Sequence, residues 1–202
     1  MNKKRIKFFL VTQFLIFLSA CTTSFSHQES MRSRESLEEN ILAESARDKK
    51  EGAPTQTLSF IWPIDGKPRV ASFFGWRKKG ERKKGERMHE GLDLGGRHGD
   101  KIYTSCDGKV VDVAFVKGYG KTVVVYHGGG WSSLYAHLSK YKVKRGQELK
   151  AGDVLGLMGR TGRAQANHLH FEIRKGSDPL DPLLFLPSRE LEKYVPSGFF
   201  QD

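Results

Sequence analysis

Short apolar or alternating segments, separated by glycine, characterise the chain beyond residue 58. They are rich in Val, Tyr, Phe and Leu, which favour strands, and they are too short for amphipathic helices. Glycines between such segments are typical of hairpin turns. The pattern predicts an all-β domain built on a twisted antiparallel sheet. The clearest strands are expected at residues 110–116, 122–126, 132–138, 153–158 and 168–173.

The first twenty residues have the three-part composition of an export signal. Four basic residues precede an apolar run at 8–18, which Ser19 and Ala20 follow. The run is too short to span a membrane comfortably. The junction Leu18-Ser19-Ala20-Cys21 resembles a bacterial lipoprotein signal, in which cleavage leaves Cys21 as the acylated first residue. An ordinary secretory signal with a coincidental cysteine is the alternative.

Composition changes near Leu58. Residues 21–57 contain five basic and seven acidic side chains and one glycine. Residues 58–202 contain 25 basic and 16 acidic side chains and 21 glycines. The first segment predicts a flexible tether, within which residues 36–47 could form a short helix. We therefore expect a signal peptide at 1–20, a tether with lipidated Cys21 at 21–57, and one domain at 58–202.

The whole chain carries a net charge of +11. For an exported domain, a basic surface favours cell-wall carboxylates and phosphates or anionic lipid, and no nucleic-acid partner is expected. The segment Lys78–Arg87 repeats five residues and predicts a solvated surface loop, with a wall-binding basic patch as the alternative. Two cysteines cannot build a disulfide scaffold, and Cys106 is expected to be a small buried thiol.

Residues capable of metal or proton chemistry occur in three groups, of which the first runs from His89 to Asp93. In an extended chain these two side chains share a face, and Gly91 between them leaves room for an ion. The helical zinc motif His-Glu-x-x-His does not apply, because no second histidine follows at the required spacing and the nearby glycines disfavour a helix.

The other two groups lie in predicted strands. Alternation along 167–173 places His168, His170 and Glu172 on one face, and two histidines at this spacing can address the same point in space. The same alternation in the strand at 132–138 places Tyr135 beside His137, where the phenol could act as a supporting donor.

Together the groups offer a carboxylate and several imidazoles, the donors of a zinc site with three protein ligands. Their order and spacing resemble the lysostaphin-type, LytM-like family of zinc metallopeptidases over about residues 60–187. The resemblance is carried by His89-x-x-x-Asp93, Tyr135-Ala136-His137-Leu138 and His168-Leu169-His170-Phe171-Glu172.

The resemblance implies long loops framing a zinc groove, with His89, Asp93 and His170 as ligands of Zn²⁺. It implies that His137 and His168 flank the bound water, without deciding which one is the general base. The implied enzyme is a zinc metalloendopeptidase that hydrolyses peptide cross-links of peptidoglycan. It would be lipid-anchored at the cell envelope, facing the periplasm from the outer membrane if the host has one.

Three alternatives stay open. A zinc-binding module can be catalytically inactive, since competence depends on geometry that motifs do not report. A LytM-like domain can activate a separate cell-wall amidase, with an amidase or division complex as its partner. A structural lipoprotein could instead tether the wall through the basic loop at 78–87.

Overall fold

The computed structural model describes residues 33–51, 58–67, 69–75 and 88–188. The expected signal peptide, Cys21 and the repeat at 78–87 lie outside this range. The elements are α1 (Arg34–Glu51), β1 (Arg69–Ser72), β2 (Leu92–Gly95), β3 (Lys101–Tyr103), β4 (Gly108–Val116), β5 (Gly120–Gly128), β6 (Trp131–Leu138), β7 (Lys140–Tyr141), β8 (Glu148–Leu149), β9 (Val154–Leu157), β10 (His168–Lys175), β11 (Asp178–Leu180) and a 3-10 helix (Pro182–Leu184).

Two antiparallel sheets make up the domain. The larger has the strand order β1-β2-β10-β6-β5-β4-β8, with β11 paired to β10, and the smaller has the order β3-β9-β7. Hairpins connect β4 to β5 and β5 to β6, whereas β2 and β10 pair across a long stretch of sequence. The predicted all-β class is confirmed, and each of the five expected strands is present.

The larger sheet has two buried faces. One face packs on the smaller sheet through a core that includes Val123 and Val125 of β5 and Phe171 of β10. The other face carries a second apolar cluster, to which β5 contributes Val124 and Tyr126. Because both faces are covered, β5 is buried almost throughout, and its apolar residues at 123–126 are consecutive rather than alternating as in a half-exposed strand.

Helix α1 covers the second face and contains the short helix expected at 36–47, but it packs on the sheet, which a flexible tether would not do. Good helix formers fill the segment, with Glu35 in the first turn and Lys49 and Lys50 in the last, where they complement the helix dipole. Leu37 and Ile41, one turn apart, are buried against β4 and β5. Within the described residues, no helix has both the length and the apolar character needed to span a membrane.

Candidate metal centre

The pairing of β2 with β10 brings the first two candidate ligands together. Asp93 lies directly opposite His170, and side chains at opposed positions of an antiparallel pair share a face. The His170 Nδ1 atom lies 2.9 Å from Asp93 Oδ1. Both residues are buried, with exposed fractions of 6% for His170 and 9% for Asp93.

His89 reaches the same point from outside the strand. Its backbone pairs with Gly75 in an isolated antiparallel bridge, so β2 begins only at Leu92. The His89 Nε2 atom lies 3.1 Å from Asp93 Oδ1 and 3.1 Å from His170 Nδ1. His89, Asp93 and His170, the three predicted ligands, thus offer donor atoms within 4.8 Å of one another.

Gly91 allows the two strands to approach closely enough for this arrangement. A Cβ atom at this position would lie 2.9 Å from His170 Cε1 and 2.9 Å from Glu172 Cγ, and closer still to the Phe171 carbonyl oxygen. No side chain fits there without moving β10. The glycine between His89 and Asp93 therefore allows the chain that enters β2 to pack closely against β10, the strand that carries His170.

Each of the four site histidines donates the proton of one ring nitrogen to an oxygen acceptor, which fixes its tautomer and ring orientation. The Nδ1 atoms of three rings donate to backbone carbonyls, and the Nε2 atom of His170 donates to Glu172 Oε1 at 2.9 Å. These contacts leave the second nitrogen of each neutral ring with an available lone pair. The three carbonyl contacts are His89 to Phe73 at 2.6 Å, His137 to Thr161 at 2.8 Å and His168 to Ala166 at 2.9 Å.

The donor set fits a cation. With the tautomers described above, lone pairs of His89 Nε2, His170 Nδ1 and Asp93 Oδ1 converge, and such a cluster needs positive charge between its members. Burial alone would lower the pKa of His170, but its hydrogen bonds to Asp93 and Glu172 raise that pKa to about 9. Burial would raise the pKa of Asp93, yet hydrogen bonds with His170 and His89 bring it far below the usual range. A divalent ion would supply the charge that protonated imidazole otherwise provides.

His137 reaches the site through an unusual backbone conformation. Strict alternation would turn it into the core with Tyr135, but its φ of 61° is in the left-handed region and turns the ring toward the metal centre. The His137 ring centroid lies 4.6 Å from that of His168 and 5.9 Å from that of His170. Burial lowers the pKa of His137 to about 4, so the ring is neutral near pH 7 and can accept a proton at Nε2.

Thr161 holds His137 in this position. Its carbonyl oxygen accepts the His137 Nδ1 proton, and its hydroxyl donates to Leu138 and accepts from the Lys121 amide. His168, the fourth histidine, starts β10, and its Nε2 atom lies 3.6 Å from Asp93 Oδ1. The structure therefore gathers all five predicted site residues around one point.

His170 is supported by Glu172, which alternation placed on the same face, and by Arg174, which the sequence did not indicate. Glu172 is fully buried and accepts hydrogen bonds from His170 and, at 2.6 Å, from the Tyr119 hydroxyl. Arg174 is also buried, and its Nε atom lies 3.4 Å from Glu172 Oε2. Tyr119 was not predicted, because it lies between Gly118 and Gly120, outside any periodic segment.

The expected support of His137 by Tyr135 is wrong. Tyr135 is fully buried on the opposite face, where its hydroxyl accepts from the Ser105 amide and contacts Ser133. His127 belongs to the same buried network through Ser133, 2.7 Å away, so its role is structural. Cys106 is buried, as expected, and burial raises the pKa of its thiol.

Comparison with known proteins agrees with this geometry. Residues 87–182 match the model of peptidase family M23. The catalytic domain of lysostaphin from Staphylococcus simulans superposes with a TM-score of 0.53 at 31% identity, covering 58% of this chain and 91% of that domain. The chain belongs to peptidase family M23, and its domain is of the lysostaphin or LytM type.

Two relatives indicate how this family is used. The peptidoglycan DD-endopeptidase ShyA of Vibrio cholerae is 33% identical over 153 residues, which span 72% of this chain and 36% of ShyA. The murein hydrolase activator NlpD of Escherichia coli is 36% identical over 136 residues, which span 67% of this chain and 33% of NlpD. The chain thus matches about a third of each of these longer proteins.

Proposed function

We propose that the protein is a zinc-dependent endopeptidase that hydrolyses peptide cross-links of peptidoglycan. One observation carries the proposal: three donor atoms converge from the half-buried His89 and the buried Asp93 and His170, with two further histidines beside them. The similarity to ShyA, described as a peptidoglycan DD-endopeptidase, supports this substrate class. Two imidazoles and one carboxylate are the donor types of catalytic zinc sites.

The side chains would divide the work of peptide hydrolysis. When bound, Zn²⁺ would supply a Lewis acid that polarises the scissile carbonyl and brings the pKa of water toward neutrality. His137 holds one proton on Nδ1 against Thr161 and offers Nε2 to accept the proton of the attacking water. His168 offers its Nε2 in the same way, with Nδ1 held by Ala166. The histidine that takes the proton of the water would return it to the leaving amine, and the other, with a proton on Nε2 as well, would donate to the developing oxyanion.

A second function is favoured by the similarity to NlpD, described as a murein hydrolase activator. A LytM-like domain of that kind would bind an amidase or a division complex without cutting the wall itself. This protein holds both His137 and His168 beside the ligand set, and a purely activating domain does not need this. The endopeptidase is therefore the preferred proposal.

We further propose that the chain acts from a lipid anchor at Cys21. The apolar run at 8–18 and the junction ending at Cys21 support export and acylation, and several acyl chains would hold the protein firmly at a membrane. In a host with an outer membrane, the domain would face the periplasm. This location would give the basic domain access to the anionic wall.

Digestion of purified sacculi tests the enzyme proposal. Residues 22–202, which retain α1, are incubated with sacculi and zinc, and the released muropeptides are resolved by mass. We expect cross-linked dimers to become monomers, and we expect this conversion to stop with chelator, with His170→Ala and with His137→Ala. Zinc content is measured for each variant, because His137→Ala should still bind the ion.

The same experiment separates the two candidate functions. If zinc is bound and no dimer is cleaved, the endopeptidase proposal is wrong. Addition of a wall amidase then tests the activator, which would increase release of peptide-free glycan strands. A mass shift that identifies the cleaved bond would also define the substrate more closely than its class.

A further inference from the structure

Helix α1 lies outside residues 87–182, which the family match covers. It nevertheless packs on the face of the larger sheet that also carries His170. Its first turns reach the strand that carries His170. The Glu38 carboxylate lies 3.7 Å from Arg174 Nη1, and Arg34 forms an ion pair with Glu90. The Arg34 guanidinium also lies 5.8 Å from the centroid of the Tyr119 ring.

These contacts continue inward to a metal ligand. Arg174 is 1% exposed, and its Nη2 atom lies 3.5 Å from Glu90, while its Nε atom lies 3.4 Å from Glu172. Glu172 is fully buried and accepts the Nε2 proton of His170 at 2.9 Å. A continuous series of charged groups thus joins Glu38 on the helix to His170 in the site.

We propose that helix α1 is a positioning element of the metal centre, which raises metal affinity by holding Arg174 and Glu172 in place behind His170. This inference rests on the metal site of the proposed function. Outer partners of a metal-bound histidine orient the ring and increase its basicity, and their loss weakens metal binding. Here the outermost partners come from a segment that precedes the peptidase domain.

Exclusion of water explains how the helix would act. With α1 in place, Arg174 and Glu172 interact in a region of low effective dielectric constant, where attraction between charges is strong. With α1 displaced, water reaches Arg174, competes for Glu172 and weakens the orientation of His170. Among the helix side chains whose burial the structure describes, the apolar anchors are Leu37 and Ile41, so a single charge at one of them should displace the helix.

The full-length chain offers a matched pair of substitutions for the test. Ile41→Asp places a carboxylate at a fully buried position, whereas Leu42→Asp makes the same change at the next residue, which is 51% exposed. Zinc affinity is measured by chelator competition, the Co²⁺-substituted proteins are compared by visible absorption, and hydrogen exchange over 34–51 reports whether α1 is displaced. We expect on the order of tenfold weaker zinc binding and an altered Co²⁺ spectrum for Ile41→Asp alone.

A second pair leaves the helix in place. Glu38→Gln removes the charge that faces Arg174, and Glu39→Gln removes an exposed neighbouring charge. We expect about two- to fivefold weaker zinc binding for Glu38→Gln only, because the Glu38 side chain is partly exposed. If Ile41→Asp unfolds the domain, or if hydrogen exchange shows that α1 is not displaced, the comparison of Glu38→Gln with Glu39→Gln tests the proposal instead.

The inference would be overturned if the two variants of the pair that serves as the test had equal zinc affinities and equal Co²⁺ spectra. A gain of hydrolysis at unchanged affinity would also overturn it, since α1 would then obstruct the groove rather than support the ligand. The proposed function is checked separately in wild type: failure of wild type to bind zinc would refute the metal site itself, whereas binding without a difference between variants refutes only the helix proposal.

Discussion

Replacement of Gly91 by alanine should disrupt the metal centre. The added Cβ atom would lie 2.9 Å from both His170 Cε1 and Glu172 Cγ, whereas ordinary contact begins at about 3.4 Å. His170 and its support must therefore move by roughly 0.5 Å, while metal-ligand distances tolerate only about 0.2 Å. We expect zinc affinity to fall at least about tenfold, the scale seen when a ligand loses its orientation.

The same substitution should also reduce stability. Overpacking of a close backbone contact typically costs about 1 to 3 kcal/mol, and here the Phe171 carbonyl oxygen lies even nearer to the added atom than the two side chains do. Gly95→Ala is the matched control, because its Cβ would approach nothing nearer than Arg69 Cδ at 3.6 Å. Both glycines belong to the stretch that pairs with or packs on β10.

Calorimetric titration of zinc into the metal-free variants measures the first effect, and urea unfolding without metal measures the second. We expect Gly95→Ala to behave as wild type in both assays. Equal zinc affinity in Gly91→Ala and Gly95→Ala would refute the argument that close strand contact places His170. A loss of stability without a loss of affinity would mean that β10 moves as a unit with the ligands.

Two further predictions concern histidines. Because the φ of His137 is 61°, His137→Gly should be about 1 kcal/mol more stable to urea than His137→Ala, the reverse of the usual order in strands, and neither should cleave sacculi. Burial lowers the pKa of His127 to about 4, below its ordinary value of 6.5. The folded state therefore binds fewer protons than the unfolded state between these values, and stability present above pH 6.5 is lost toward pH 4. Relative to His127→Gln, wild type should lose about 2 to 3 kcal/mol of unfolding free energy between pH 7 and pH 4.5. Urea unfolding of both proteins across this pH range measures the loss, and an equal pH dependence of the two unfolding free energies would contradict the prediction.

Alternation and residue type were enough to predict the sheet and to identify candidate donors, whereas the assignment of three of them as metal ligands came from the resemblance to the LytM-like family. The period of two along 168–173 correctly separated His170 and Glu172 from the core residues. Short strands such as β7 and β8, each of two residues, give no periodic signal and were missed. The spacing from His89 to Asp93 indicated a shared site, although His89 reaches it through a bridge to Gly75 rather than from a regular strand.

Local periodicity failed where tertiary contacts decide the conformation. At His137 the left-handed backbone reverses the face that alternation assigns, so Tyr135 is in the core and Tyr119 contacts the site instead. Helix α1 is highly polar, and of its described side chains only Leu37 and Ile41 are buried, so such a segment is difficult to distinguish from a tether by composition. Its position depends on the apolar sheet face that it covers.

The structure separates the residues that would hold the metal from those that would move protons. Asp93 and His170 are directly opposed within one strand pair, so their relative position is set by the register of the sheet. His137 and His168 lie near strand ends, and their rings are oriented by the carbonyls of Thr161 and of the loop residue Ala166. A change in these loops could therefore abolish hydrolysis while metal binding persists. An M23 domain can thus move from cutting the wall to activating another enzyme without losing its fold, which makes the placement of His137 and His168 the feature that distinguishes the two proposed functions.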